Sequence, residues 1–194
     1  MRVSRVPFVL MVMVAAVMSP AVLAHSANNA FRLGAAWVDP DGQTTVGGNQ
    51  VDADPTTAYF VNYERRLIPW LGIDVDALYA KPDITVTPIG GGPAATQGET
   101  TFTGNAGINF HVLARSRVDL YLGVYAAYMD FDQTFNNATG YGALAGMDIG
   151  LTKSGLAMTA SIRYTKIEAE FTQLPGTTTP YDPLSAQIGL GWRF

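Results

Sequence analysis

The chain has no cysteine, so neither a disulfide framework nor a thiolate metal site is available to it. Histidine is almost as scarce: His25 and His111 are the only two. No stretch reaches the roughly 18 consecutive apolar residues of a membrane-spanning helix. Charge is thin at 14 % of residues, and the 12 basic side chains are outnumbered by 16 acidic ones without forming a basic patch. A nucleic-acid partner is therefore not expected. The glycine run Gly90-Gly91-Gly92 lacks a following Lys-Ser/Thr pair and a strand-to-helix setting, so it is no phosphate loop. No cofactor or metal is expected.

What is present begins at the N-terminus. Arg2 and Arg5 precede an uncharged apolar run over 8–18. That run is too short to cross a bilayer as a helix. Ser19 and Pro20 break it, and Val22-Leu23-Ala24 places small residues before a cut. Residues 1–24 thus read as a cleavable secretory signal and 25–194 as one mature domain. Removing the two signal arginines leaves a net charge of −6.

The mature sequence alternates. Apolar and polar residues exchange with period 2 over 31–37, 59–64, 71–79, 101–110, 118–129, 141–150, 156–165 and 184–194. Period 2 is the signature of a strand with two unlike faces. Eight strands of about ten residues suit a barrel crossing hydrocarbon at a tilt. The connections at 67–69, 114–117 and 152–155 are short. Those at 39–56, 81–99, 131–139 and 171–182 are long and rich in Gly, Pro, Thr and Asp. Strict alternation of short and long connections is the plan of a transmembrane barrel with short periplasmic turns. The expectation is an all-β, eight-stranded antiparallel outer-membrane barrel with both termini periplasmic.

The distribution of charge separates this reading from a soluble barrel. One face of the strands carries almost no charge. The other carries Arg32, Glu64, Asp74, Asp76, Asp119, Asp148, Arg163 and Arg193. A soluble barrel would turn the apolar face inward. A lumen holding eight ionisable groups is expensive if dry, and an outer face with none would aggregate in water, whereas a lipid-facing apolar wall and a paired polar lumen fit both patterns. Aromatic residues support this. Trp37, Tyr59, Tyr79, Phe102, Tyr128 and Tyr141 fall at one set of strand ends, and Trp70, Phe110, Trp192 and Phe194 at the other. Such girdles mark the headgroup levels.

Sorting the inward residues by height gives two expectations. The eight charged residues form an ion-paired plug in the lower lumen. Phe60, Leu78, Met129 and Leu144, the bulky inward apolar residues, share one height and line an apolar upper pocket. Ordinary packing filler explains the same four residues equally well.

Two resemblances add to this. The terminal strand, ending on Trp192 and Phe194, resembles that of bacterial outer-membrane barrels, in which the last Phe belongs to the signal read by the barrel-insertion machinery. The chain as a whole resembles the OmpW-type outer-membrane proteins. The likeness rests on Phe31-Arg32-Leu33-Gly34 with Val38-Asp39-Pro40, on 70–75 leading to Tyr79-Ala80-Lys81-Pro82, on 119–125, and on Asp182-Pro183 opening the strand to Gly191-Trp192-Arg193-Phe194. It implies an outer-membrane location among lipids, and passive uptake of small hydrophobic ligands that leave sideways through the wall. A proline-rich start to the fourth strand, frequent in that family, is missing from 96–105.

Two other function classes stand beside transport. A structural or adhesion barrel would have a filled polar lumen and loops shaped for partners. An acyl-transfer or deacylating barrel enzyme would need His with Ser and an acid. His25 lies at the new N-terminus and His111 at the periplasmic end of its strand, so an enzyme is not expected.

Overall fold

The computed structural model describes residues 28–41, 44–113, 117–172 and 176–194. The signal segment lies outside the described residues. Thirteen strands are found among them. Eight build the wall: β1 (Asn29–Asp41), β4 (Thr56–Ile68), β5 (Leu71–Ala80), β8 (Thr101–His111), β9 (Val118–Phe131), β10 (Ala138–Gly150), β11 (Leu156–Glu170) and β13 (Asp182–Arg193). Each pairs antiparallel with its neighbours, in the order β10-β9-β8-β5-β4-β1-β13-β11. The β10–β11 ladder, from Gly140↔Ile167 to Gly150↔Ala157, closes the ring. The barrel has the eight strands read from the alternation.

Closure follows from two-faced strands that have to satisfy every backbone group without water, since a barrel has no edge. Parity then decides which side meets lipid. Leu122, Ile162, Ile188, Leu190 and Tyr141 stand exposed on the outside, while Arg32, Glu64, Asp74, Asp119 and Asp148 are buried inside. The inner wall admits large rings because glycine stands opposite them. A Cβ on Gly146 would lie 2.3 Å from the Tyr121 ring. At the tight 151–155 turn, Gly155 takes φ 98°, and its N–H points to the Thr152 carbonyl. That left-handed conformation favours glycine.

The long connections are more ordered than loops. Segments 39–56 and 81–99 supply β2 (Thr44–Val46), β3 (Asn49–Ala53), β6 (Asp83–Pro88) and β7 (Ala95–Gly98), which form a separate four-stranded sheet. β12 (Thr178–Pro180) extends the β11 edge. All four long connections leave one end of the barrel. The short turns and both described chain ends lie at the other, where Asn29 and Phe194 exchange backbone hydrogen bonds of 2.9 and 3.0 Å.

Candidate functional site: an ion-paired floor and an aromatic roof

Parity sends β1, β4, β8, β9, β10 and β13 side chains to one place at the turn end. Arg32 is the hub. Its Nη2 donates to Glu64 at 2.9 Å and Asp148 at 2.8 Å, and its Nη1 donates to Asn62 at 2.7 Å. The guanidinium also lies over the Tyr121 ring, 5.1 Å from its centroid. Arg193 donates to Asp119 and Asp148, both at 3.2 Å. Two further residues complete this tier. Arg66 pairs with Asp119 and, at 3.3 Å, with Glu64. His111 sits between the same two carboxylates, 2.7 Å from Glu64 and 3.1 Å from Asp119.

A second tier lies above. Arg163 holds Asp76 at 3.1 Å and approaches Asp74 at 4.0 Å. Asn105 donates to Asp76 at 2.6 Å. Asn62 joins the tiers, accepting from Arg32 and donating to Asp74 at 3.1 Å. All eight charged residues singled out in the sequence are therefore brought into one connected network. Arg66 and His111 are additions. Continuing the alternation two residues past Glu64 and past Asn109 reaches both.

The four apolar candidates separate. Leu78 and Met129 line an upper cavity, Phe60 lines a lower one, and Leu144 lines neither. The expectation of one shared height is corrected on this point. Phe60 pairs with Leu78, Leu78 with Thr103 and Thr103 with Met129. In a tilted barrel such a row of neighbours climbs from strand to strand. Phe60 and Leu78 pack with Ala36, Val38, Ala58 and Ala80. Met129 and Leu144 belong to a cluster that continues upward into the loops.

That cluster roofs the barrel. Phe135 is its centre, with ring centroids 5.2 Å from Phe131, 4.8 Å from Phe171 and 6.1 Å from Tyr181. Val51, Ala53 and Ile84 of the four-stranded sheet pack into the same cluster. Glu99 fastens the roof. Its carboxylate is buried and accepts the backbone N–H groups of Gln133 at 2.7 Å and Thr134 at 2.8 Å. These side chains lie over the expected upper pocket. The upper cavity beneath the roof measures about 30 Å³ and the lower one about 10 Å³. Trp192 and Phe194 stand exposed at the turn end, with Trp70 stacked on Phe110 at 6.3 Å.

A closed antiparallel barrel with an apolar outer wall and an ion-paired lumen defines a bacterial outer-membrane protein. Residues 8–194 match the outer membrane protein beta-barrel domain, and the chain belongs to that family. Its fold is similar to three solved barrels. OprG from Pseudomonas aeruginosa superposes with a TM-score of 0.70 at 16 % identity, covering 88 % of this chain and 98 % of OprG. Neisserial surface protein A gives 0.64 at 16 %, with 87 % and 98 % covered. AlkL, determined in lipid bilayers, gives 0.53 at 15 %, with 91 % and 95 % covered. At such identities the likeness is one of fold. The family match bears out the outer-membrane barrel expected from the sequence. Curated proteins gave no significant match.

Proposed function

We propose that the barrel gives small hydrophobic molecules a passive route from outside into the outer membrane. The observation that carries this reading is the unequal filling of the lumen. The turn end holds charged residues knitted by hydrogen bonds, while apolar side chains run from Leu78 and Met129 up to the aromatic roof. A hydrocarbon gains about 25 cal/mol per Å² of apolar surface buried. It finds such surface above Arg163 and none across the floor, where passage would break buried ion pairs. The route is therefore lateral, and it requires the roof to move. Both chain ends face the periplasm in this arrangement, because short turns are periplasmic and long loops extracellular. The terminal strand with Trp192 and Phe194 is the segment offered to the barrel-insertion machinery.

Uptake of a radiolabelled alkane by cells tests the reading. Cells carrying the wild-type barrel are expected to exceed both empty-vector cells and cells carrying Leu78→Asp. Equal uptake by all three sinks it. A structural or adhesion barrel is the second reading, favoured by cavities of only about 30 and 10 Å³. Equal uptake, with intact assembly, selects it.

A further inference from the structure

We propose that the cavity under the aromatic roof is a head-group site for small uncharged amphiphiles bearing a hydroxyl, whose tails pass sideways between β11 and β13 at Pro183. This rests on the lateral route proposed above and specifies its substrate class and its port. Size comes first. The cavity measures about 30 Å³. That is about two to three times the ~10–15 Å³ that one water needs, whereas a cavity that takes up benzene is near 150 Å³. One polar group fits there and a hydrocarbon chain does not.

Its lining chooses the group. Thr103 Oγ1, Asn105 Oδ1, Gln187 Nε2 and Arg163 Nε have no hydrogen-bond partner. All four side chains line this cavity and are more than nine-tenths buried, and those of Arg163 and Gln187 also reach the lower cavity. Buried polar atoms without partners are costly and uncommon in folded proteins. The set holds donors and acceptors together, and a hydroxyl is a group that answers both. Charge excludes the acid. Arg163 already serves Asp76 and Asp74. Two carboxylates against one guanidinium leave local negative charge, which repels an anionic head.

The wall beside the cavity supplies the exit. The β11–β13 ladder runs from Leu156↔Trp192 to Tyr164↔Leu184 and stops. Its register sets Thr165 opposite Pro183, which has no N–H to give. Two residues on, the Ile167 N–H donates to the Asp182 carboxylate at 3.0 Å, not to a strand carbonyl. The Tyr181 N–H, at 2.9 Å from the Ile167 carbonyl, rejoins the strands, and β12 resumes the same register on β11. Thr165, Tyr181 and Pro183 all line the cavity. The interruption lies next to Tyr164, which stands exposed on the outer wall with Tyr141. A tail emerging there enters the outer leaflet just below the headgroups.

Methyl-labelled methionine NMR of the full barrel in lipid nanodiscs tests this, with Met129 as reporter and 1-decanol, decane and decanoate as probes. Decanol is expected to shift the Met129 methyl saturably, at membrane concentrations at least tenfold below those of the other two. Gln187→Leu should raise the half-saturating decanol about tenfold and leave the decane response alone. Thr103→Val, nearly isosteric, serves the same purpose should the first variant fail to assemble. Pro183→Ala, which gives the Thr165 carbonyl a backbone donor, should slow the decanol response. Equal responses to decane and decanol overturn the head-group site and leave the hydrophobic route standing. A Met129 methyl silent to every probe, in a protein that still raises alkane uptake by cells, does the same. The strongest response to decanoate overturns the uncharged class.

Discussion

At the turn end of the lumen, Arg32, Arg66 and Arg193 meet Glu64, Asp119 and Asp148, whereas at the loop end Phe131, Phe135, Phe171 and Tyr181 meet one another. The two ends are filled by opposite means. The charged tier stands on strands from six positions around the ring. Their ladders fix each guanidinium within reach of its carboxylates, and buried charge is tolerated only when so paired. The roof stands on connections held by packing and by the Glu99 clamp. The physical lesson concerns mobility: a floor of coupled ion pairs opens only by breaking several at once, while an aromatic roof on loops opens by local motion.

The comparison breaks most visibly at Arg32. Arg32→Ala leaves Glu64 and Asp148 buried with their main partner gone, and removing one member of a buried pair costs about 3–5 kcal/mol. Denaturant unfolding of the refolded barrel should show the loss. An unchanged midpoint would mean the floor is wet and screened. Phe135→Ala removes the hub of the roof, and deleting a buried Phe costs about 3–5 kcal/mol where it packs. That cost should stay local. Protease cleavage in the loops is expected to rise steeply while the unfolding midpoint of the barrel moves little. A global midpoint shift as large as that of Arg32→Ala would erase the distinction between floor and roof.

Smaller effects sharpen the contrast. Glu99→Ala strips two backbone N–H groups of their acceptor, at about 1–3 kcal/mol for groups left buried. Hydrogen exchange at Gln133 and Thr134 should accelerate, with the strand amides unaffected. Arg193→Ala is expected to cost least, about 1 kcal/mol, since the partly screened pair it removes is worth little. Arg66 and His111 still hold Asp119, and Arg32 still holds Asp148. A loss equal to that of Arg32→Ala would show the tier to be uniformly coupled rather than hubbed.

Much of the floor was legible in the residues. Arg32, Glu64, Asp74, Asp119 and Asp148 declared themselves by falling on the polar parity of apolar strands. Arg66 and His111 did not, because both lie beyond the periodic runs 59–64 and 101–110: Arg65 and Arg66 together end the alternation on one strand, and His111 falls one residue past it on the other. The roof was harder to read. Phe131, Phe135, Phe171 and Tyr181 lie in segments with turn composition, and only the folding of distant loops over the mouth brings them together. The four-stranded outer sheet had a faint signal in the alternation of Asp83-Ile84-Thr85-Val86-Thr87. Its partner Asn49–Ala53 alternates too, over Gln50-Val51-Asp52-Ala53, but over too few residues to stand out from a loop.

Local chemistry alone determined the strand number, the face that meets lipid, the membrane and the residues turned inward, because a period-2 pattern carries its own face assignment. Partner choice was decided elsewhere. Which carboxylate Arg32 takes, why Phe60 sits below Met129, and where Pro183 interrupts the wall all depend on register and on the tilt that closure imposes. Those quantities belong to the ring of eight strands and to no strand by itself.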